Sequence, residues 1–268
     1  SLDDGDNDTN NEQEIKVVGT PGSYDSVEGI ENVVATKNND TLKGSDSYSE
    51  VNVLDGYKGD DKFIASKGVD SFIGGDGIDT LDFSQIDTNS STVTTADDGN
   101  SVNVDLGLGQ ASDDGYRNGG VAVVDTISDI EVVIGTNGND QLTGSSEANT
   151  LIGGAGLDTI DGGAGLDLLE GGDDNDTIYG GAGVDTLLGE DGNDELQGGI
   201  GDDSLYGGAG NDILEKLQGD GNDTIDAGSG DDTIYAGSGN DEITGGADSD
   251  ILTYEQITST SITANLGS

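Results

Sequence analysis

From Gly153 to Glu215 the chain counts in nines without a break: GGAGLDTID, GGAGLDLLE, GGDDNDTIY, GGAGVDTLL, GEDGNDELQ, GGIGDDSLY, GGAGNDILE, with Asp always sixth and Leu or Ile always eighth. A period held through seven units restricts the chain to stacked copies of one small element. Glycines at places one, two and four admit backbone conformations and close approaches that a Cβ forbids. The residues after the Asp form a three-residue strand whose single inward side chain is the eighth. Turn, strand, turn and strand then make one coil of eighteen residues. Coils stack about 4.8 Å apart, so units of one parity lie on one side and units of the other parity opposite. That places Asp140, Asp158, Asp176, Asp194, Asp212, Asp232 and Asp250 in one column. Asp167, Asp185, Asp203, Asp223 and Asp241 form a second, headed by Asn149.

Carboxylates stacked one strand spacing apart repel one another, and glycine turns leave many carbonyls unpaired. A divalent, oxygen-seeking ion between coils cures both problems. Ca²⁺ accepts about 6 to 8 oxygens in a loose geometry, whereas Mg²⁺ demands a stricter octahedron and gives up water reluctantly. The composition agrees: 56 acidic residues stand against 8 basic ones, for a net charge of -48, and there is no His, Cys, Met or Trp. Hard oxygen donors are therefore all the chain can offer a metal, and no disulfide can staple it. One inward apolar side chain per nine residues is too thin a core to order so charged a chain, so the ion is expected to be required for folding.

The same inventory excludes functions. Without His or Cys the chain lacks the commonest general base and the best nucleophile. HExxH and GxSxG are both absent, and the acids are accounted for by the repeat, so no enzyme is expected. Nucleic acid and anionic membrane surfaces are repelled by such a field. No apolar run approaches the ~18 residues of a membrane span, and no Sec-type leader is visible. With no initiator Met the sequence reads as a piece of something longer.

In chain order, residues 1–14 read as a flexible acidic arm and 15–82 as a first, shorter repeat block with an N-terminal β cap. Its units give Asp40, Asp61, Asp70 and Asp79 at place six and Leu42, Phe63, Phe72 and Leu81 at place eight, with a longer irregular unit over 44–55. Residues 83–133 lose the period, and their alternating apolar residues predict short strands and turns that connect the blocks. The main roll runs over 134–253, interrupted by two extra residues, Lys216 and Leu217, which read as a bulge. Residues 254–268 read as the start of a further module or a C-terminal cap, because 250–264 echoes 79–93 just as 126–145 matches 27–45. The fold expected is all-β: a parallel β-roll, or β-solenoid, with two repeat blocks joined by an irregular β segment.

These nonapeptides resemble those of the RTX family, the calcium-dependent parallel β-rolls of type I-secreted toxins, proteases, lipases, alginate epimerases and large bacterial adhesins. The stretch IEVVIGTNGNDQLTGSSEANTLIGGAGLDTIDGG is also similar to the opening of the roll in serralysin-like proteases. The resemblance implies that the sixth-place residues Asp40, Asp61, Asp70, Asp79, Asp140, Asp158, Asp167, Asp176, Asp185, Asp194, Asp203, Asp212, Asp223, Asp232, Asp241 and Asp250 ligate calcium together with loop carbonyls, for roughly ten ions. Asn149 in place of Asp weakens an end site, while Glu147, Asp174 and Asp248 replace the fourth Gly and alter the local loop. The function implied is a calcium-binding segment of a large secreted or cell-surface protein, an adhesin, that folds outside the cell after type I secretion. The alternative is a polysaccharide-binding accessory module like those of alginate epimerases. Calcium is the expected partner, with surface polysaccharide or a host ligand reached through neighbouring modules, and the fragment is expected to be a monomer.

Overall fold

The computed structural model describes residues 15–16, 32–44, 51–66, 68–85, 101–118, 121–215 and 221–253. The arm at 1–14, the Lys216–Leu217 insertion and residues 254–268 lie outside the described residues. Every regular element among those described is a strand, and the strands assemble into a 15-stranded and a 10-stranded sheet. No helix among the described residues is long and apolar enough to cross a membrane.

Successive nonapeptides alternate between the sheets. Thr150–Ala155, Leu168–Asp173, Thr186–Asp191 and Ser204–Ala209 are neighbours in one. Thr159–Asp161, Thr177–Gly183 and Glu195–Ile200 are neighbours in the other. All these pairs are parallel, with Leu169 opposite Leu187 and Ile178 opposite Leu196, one eighteen-residue coil apart. The result is a β-solenoid of about 10 turns, which is the parallel β-roll expected from the period.

The core is a double file of eighth-place side chains. Leu142, Leu151, Ile160, Leu169, Ile178, Leu187, Leu196, Leu205 and Leu214 are all fully buried. In the first block the file widens to Phe63 and Phe72, whose rings meet edge-on at 5.9 Å and 72°. Close stacking explains the glycines at place two: Gly181 has φ 102°, and a Cβ there would run into the carbonyl oxygen of Gly163 in the adjacent coil. At place four Asp174 and Asp248 hold the left-handed backbone with φ 79° and 77°, a region Asp tolerates better than most side chains.

The two repeat blocks share one pair of sheets. Thr80–Asp82, the last strand of the first block, pairs directly with Val132–Ile134, which pairs with Thr150–Ala155. Within that sheet Val132–Ile134 alone lies between the first block and Thr150–Ala155. In the other sheet Val121–Ser128 lies parallel to Ser71–Ile73, antiparallel to Gln110–Asn118, and thence to Val102–Asp105, which lies parallel to Gln141–Thr143. Gln110–Asn118 and Val102–Asp105 are thus two extra strands on one side of the roll. Val102, Val104 and Ala111 carry the buried file through them.

Beyond the insertion at Lys216 and Leu217 the register continues, with Leu205 opposite Ile225 and Leu214 opposite Ile234. The pairing step there is twenty residues instead of eighteen, so the extra residues leave the sheets intact.

Candidate metal centre

Both columns of sixth-place residues are knit by one repeated hydrogen bond. The backbone N–H of each donates to Oδ1 of the Asp one coil further on. In the first column Asp140 donates to Asp158 at 2.7 Å, Asp158 to Asp176 and Asp176 to Asp194 at 2.8 Å, and Asp194 to Asp212 at 2.9 Å. The ladder continues across the insertion to Asp232 and Asp250. The second column runs from Asn149 through Asp167, Asp185, Asp203 and Asp223 to Asp241.

The first block obeys the same rule. Asp40 donates to Asp61 and Asp61 to Asp79, while Asn52 donates to Asp70. All sixteen sixth-place Asp therefore lie on the two columns. Two further acids join the ladder at the junction, where Asp79 donates to Glu131 Oε2 and Asp70 to Asp125 Oδ1. Periodicity missed both, because neither falls in a nine. Asn52 hides in the irregular unit, and its signal was NVLD, the sixth-to-ninth pattern with Asn for Asp.

The second carboxylate oxygen divides the columns into two kinds of coil. Where place two is Thr or Ser, that side chain or its backbone N–H closes the turn. Thr36 N–H and Oγ1 both donate to Asp40 Oδ2 at 2.7 Å. Ser66 Oγ donates to Asp70 Oδ2 at 2.8 Å, and Thr136 N–H to Asp140 Oδ2 at 2.6 Å with its hydroxyl close by. Asn149 is held the same way, by Ser145 N–H at 2.7 Å. By contrast, Oδ2 of Asp61, Asp79, Asp158, Asp167, Asp176, Asp185, Asp194, Asp203, Asp212 and Asp232 is buried with no hydrogen-bond partner. Toward the end of the roll Asp223 is buried, Asp241 half-buried and Asp250 exposed.

Burial penalises these carboxylates as anions. It pushes Asp158 up to about 8, Asp176 and Asp212 to about 7, and Asp61, Asp167 and Asp203 to about 6. The ladder N–H pulls each the other way, and carboxylates in adjacent coils push it up again, as Asp140 and Asp176 do to Asp158. Asp79, Asp185, Asp194 and Asp232 are raised for the same leading reason.

The unpartnered oxygens face main-chain carbonyls of the next coil. A methyl built on Gly180 would lie 2.5 Å from Gly198 O and 2.8 Å from Asp185 Oδ2. One on Gly162 would lie 2.7 Å from Gly180 O and 2.8 Å from Asp167 Oδ2. Among the described residues no three acidic side chains gather at one point, so a cation here would draw part of its coordination from main-chain carbonyls. Buried carboxylate oxygens beside main-chain carbonyls, without nitrogen or sulfur, fit a hard cation of flexible coordination, which is calcium.

A second ladder, on the outside of the turns, escaped the sequence reading. Asn193 N–H donates to Asn175 Oδ1, Asn211 N–H to Asn193 Oδ1 and Asp231 N–H to Asn211 Oδ1. It points backwards along the roll while the Asp ladder points forwards, so each turn is tied to both neighbours. The recurrence of Asn at place five in Asn139, Asn175, Asn193 and Asn211 was its signature.

The family model described as the RTX calcium-binding nonapeptide repeat, in four copies, matches residues 49–81, 134–169, 161–196, 188–215 and 218–252. Comparison with curated proteins found no match.

Proposed function

The chain belongs to the RTX calcium-binding nonapeptide-repeat family, and from that premise we propose that it is a calcium-driven folding segment of a large bacterial adhesin, exported unfolded by a type I system. Ten buried Asp oxygens without partners carry this reading. A carboxylate removed from water needs a counter-charge or a proton, and among the described residues none of these ten carboxylates is ion-paired with a basic side chain.

In this reading the calcium ligands are Asp61, Asp79, Asp158, Asp167, Asp176, Asp185, Asp194, Asp203, Asp212 and Asp232, joined by turn carbonyls. Asp223, Asp241 and Asp250 extend the same columns toward the end of the roll. Asp40, Asp70 and Asp140 are closed by Thr36, Ser66 and Thr136 instead, so those coils hold together through hydroxyl and amide donors. Bound calcium supplies the positive charge that the columns lack. The repeat is structural, and the parent protein's adhesive target is contacted through neighbouring modules.

Cytosolic calcium is too low to fill sites of the ~10⁻⁴ to 10⁻³ M affinity of extracellular modules, whereas millimolar calcium outside fills them. Binding energy then becomes folding energy, and folding is confined to the far side of the membrane. A calcium titration followed by circular dichroism and native mass tests this. A sharp, cooperative gain of β structure with roughly ten bound ions is expected, and a chain already β-rich in EDTA refutes it.

A further inference from the structure

Between Asp79 and Asp158 no buried carboxylate oxygen is left without a partner. Among the described residues those that lack one belong to Asp61 and Asp79 on one flank and to Asp158 and later residues on the other. The buried acids in between are held by the chain's own donors. Asp82 Oδ2 pairs with Lys62 Nζ at 2.7 Å, and Asp82 Oδ1 accepts from Ser84 N–H at 2.9 Å. Asp125 Oδ1 accepts from Asp70 N–H. Asp140 accepts from Val102 N–H at Oδ1 and from Thr136 N–H at Oδ2. The next place in the columns is the neutral Asn149, held by Ser145 N–H. Hydrogen bonds thus meet here the desolvation cost that the regular coils leave to a cation.

The same stretch pairs its strands differently. Val102–Asp105 is antiparallel to Gln110–Asn118, and that strand to Val121–Ser128, whereas the regular coils pair in parallel. Four residues separate the first two strands and two the next. The first turn is closed by Leu108 N–H on Asp105 Oδ1 at 2.7 Å and Gly109 N–H on Leu106 O at 3.2 Å. Closing so short a loop costs little, and local contacts form first, while each parallel pair must wait for a whole coil to close. The apolar residues of this stretch also pack in two layers. Val102, Val104, Ala111, Ile127 and Leu142 are buried in one sheet and Val133 in the other. Three or more strands with a packed apolar face meet the requirement for a sheet that stands without a staple.

We propose that Val102–Asp105, Gln110–Asn118, Val121–Ser128, Val132–Ile134 and Gln141–Thr143 form a calcium-independent seed, and that calcium adds coils to it in both directions, through Asp79 and Asp61 on one side and Asp158 and Asp167 on the other. The inference rests on the calcium reading above and adds to it a fixed starting point. Val132–Ile134 offers one edge to Thr80–Asp82 and the other to Thr150–Ala155. In the second sheet Val121–Ser128 receives Ser71–Ile73, and Gln141–Thr143 receives Thr159–Asp161. A stack of repeats in which each coil contacts only its neighbours can propagate from any formed unit, and the seed supplies that unit before an ion is bound. Its five strands are few among twenty-five, so the chain as a whole still gains its β structure from calcium.

The test is peptide-resolved hydrogen exchange of the full 268-residue chain in EDTA at about pH 8, where protons no longer stand in for calcium. Amides of Val102–Asp105, Val132–Ile134 and Gln141–Thr143 should exchange at least about tenfold more slowly than those of Glu195–Ile200 and Ser204–Ala209, which should behave as unfolded chain. On adding calcium, protection should appear next at Thr80–Asp82 and Thr150–Ala155 and last at Glu242–Ala247. Val104→Ala should abolish the protection seen in EDTA, and Leu187→Ala, in a regular coil, should leave it. Unprotected exchange along the whole chain in EDTA overturns the seed while the calcium-folding reading stands, and protection throughout the regular coils in EDTA overturns both. Protection in EDTA that survives Val104→Ala comes from another core and overturns the seed, as does protection that starts at Glu242–Ala247 when calcium is added.

Discussion

Asp176→Asn should change sign with calcium. Asp176 accepts from Asp158 N–H at Oδ1, donates its own N–H to Asp194 at 2.8 Å, and leaves Oδ2 buried without a partner. The amide keeps the acceptor for the ladder and removes only the charge. In about 10 mM calcium, an ion held with a Kd of ~10⁻⁴ to 10⁻³ M contributes RT ln(1 + [Ca]/Kd), or about 1.4 to 2.7 kcal/mol, and the variant should lose that amount. Without calcium the balance reverses, because the wild-type carboxylate stands one coil, about 4.8 Å, from its neighbours in the column. At an effective dielectric near 20 each like-charged pair costs up to roughly 3.5 kcal/mol, so the metal-free variant should be the more easily compacted chain. Circular dichroism against calcium should show a higher folding midpoint, native mass at least one ion fewer, and light scattering in EDTA a smaller radius. The same midpoint and the same ion count would remove Asp176 from the ligand set and undercut its column.

Three further outcomes are expected. Thr136→Gly removes the hydroxyl near Asp140 Oδ2 and a charged hydrogen bond of roughly 1.5 to 3 kcal/mol; native mass at saturation should gain one calcium, and an unchanged count would show that the hydroxyl does not take an ion's place. Leu187→Ala empties a fully buried position of the core file at about 2 to 5 kcal/mol, so calorimetry should register a lower melting temperature with the number of bound ions unaltered. For pH, the buried Asp are raised from an ordinary 3.8, with Asp158 up to about 8 and Asp61, Asp167 and Asp203 to about 6. A raised folded-state value favours the metal-free fold in full below the unfolded value and loses that stability as pH rises through about 6 to 8. In EDTA the chain should accordingly gain β structure between pH 8 and pH 5, while calcium affinity weakens over the same interval because protons compete for the carboxylates. A dichroism signal flat with pH in EDTA would contradict the raised values.

Period alone determined the strand of each unit, the inward eighth residue and the two columns of Asp, because a turn and a three-residue strand are local and their side chains follow from the pleat. Leu151, Leu169 and Leu187 are buried, and Asp158 and Asp176 are stacked, where counting in nines puts them. Counting could not show that Asp82 lies opposite Ile134, since that pairing spans residues with no period and is set by which sheet edges meet. For the same reason Glu131 and Asp125 entered the ladder unseen, and Val102–Asp105 and Gln110–Asn118 proved to be extra strands on one side of a single roll.

Nor does the sequence say which carboxylates are left wanting. Whether Oδ2 of a buried Asp is partnered depends on a hydroxyl four residues earlier, as with Thr136 and Asp140, and a carbonyl a full coil away decides what else lies near it, as with Asp185 and Gly198. The sequence alone established that the columns exist; the tertiary structure decided which of their oxygens remain for a cation, because hydrogen-bond satisfaction is a property of neighbours in space.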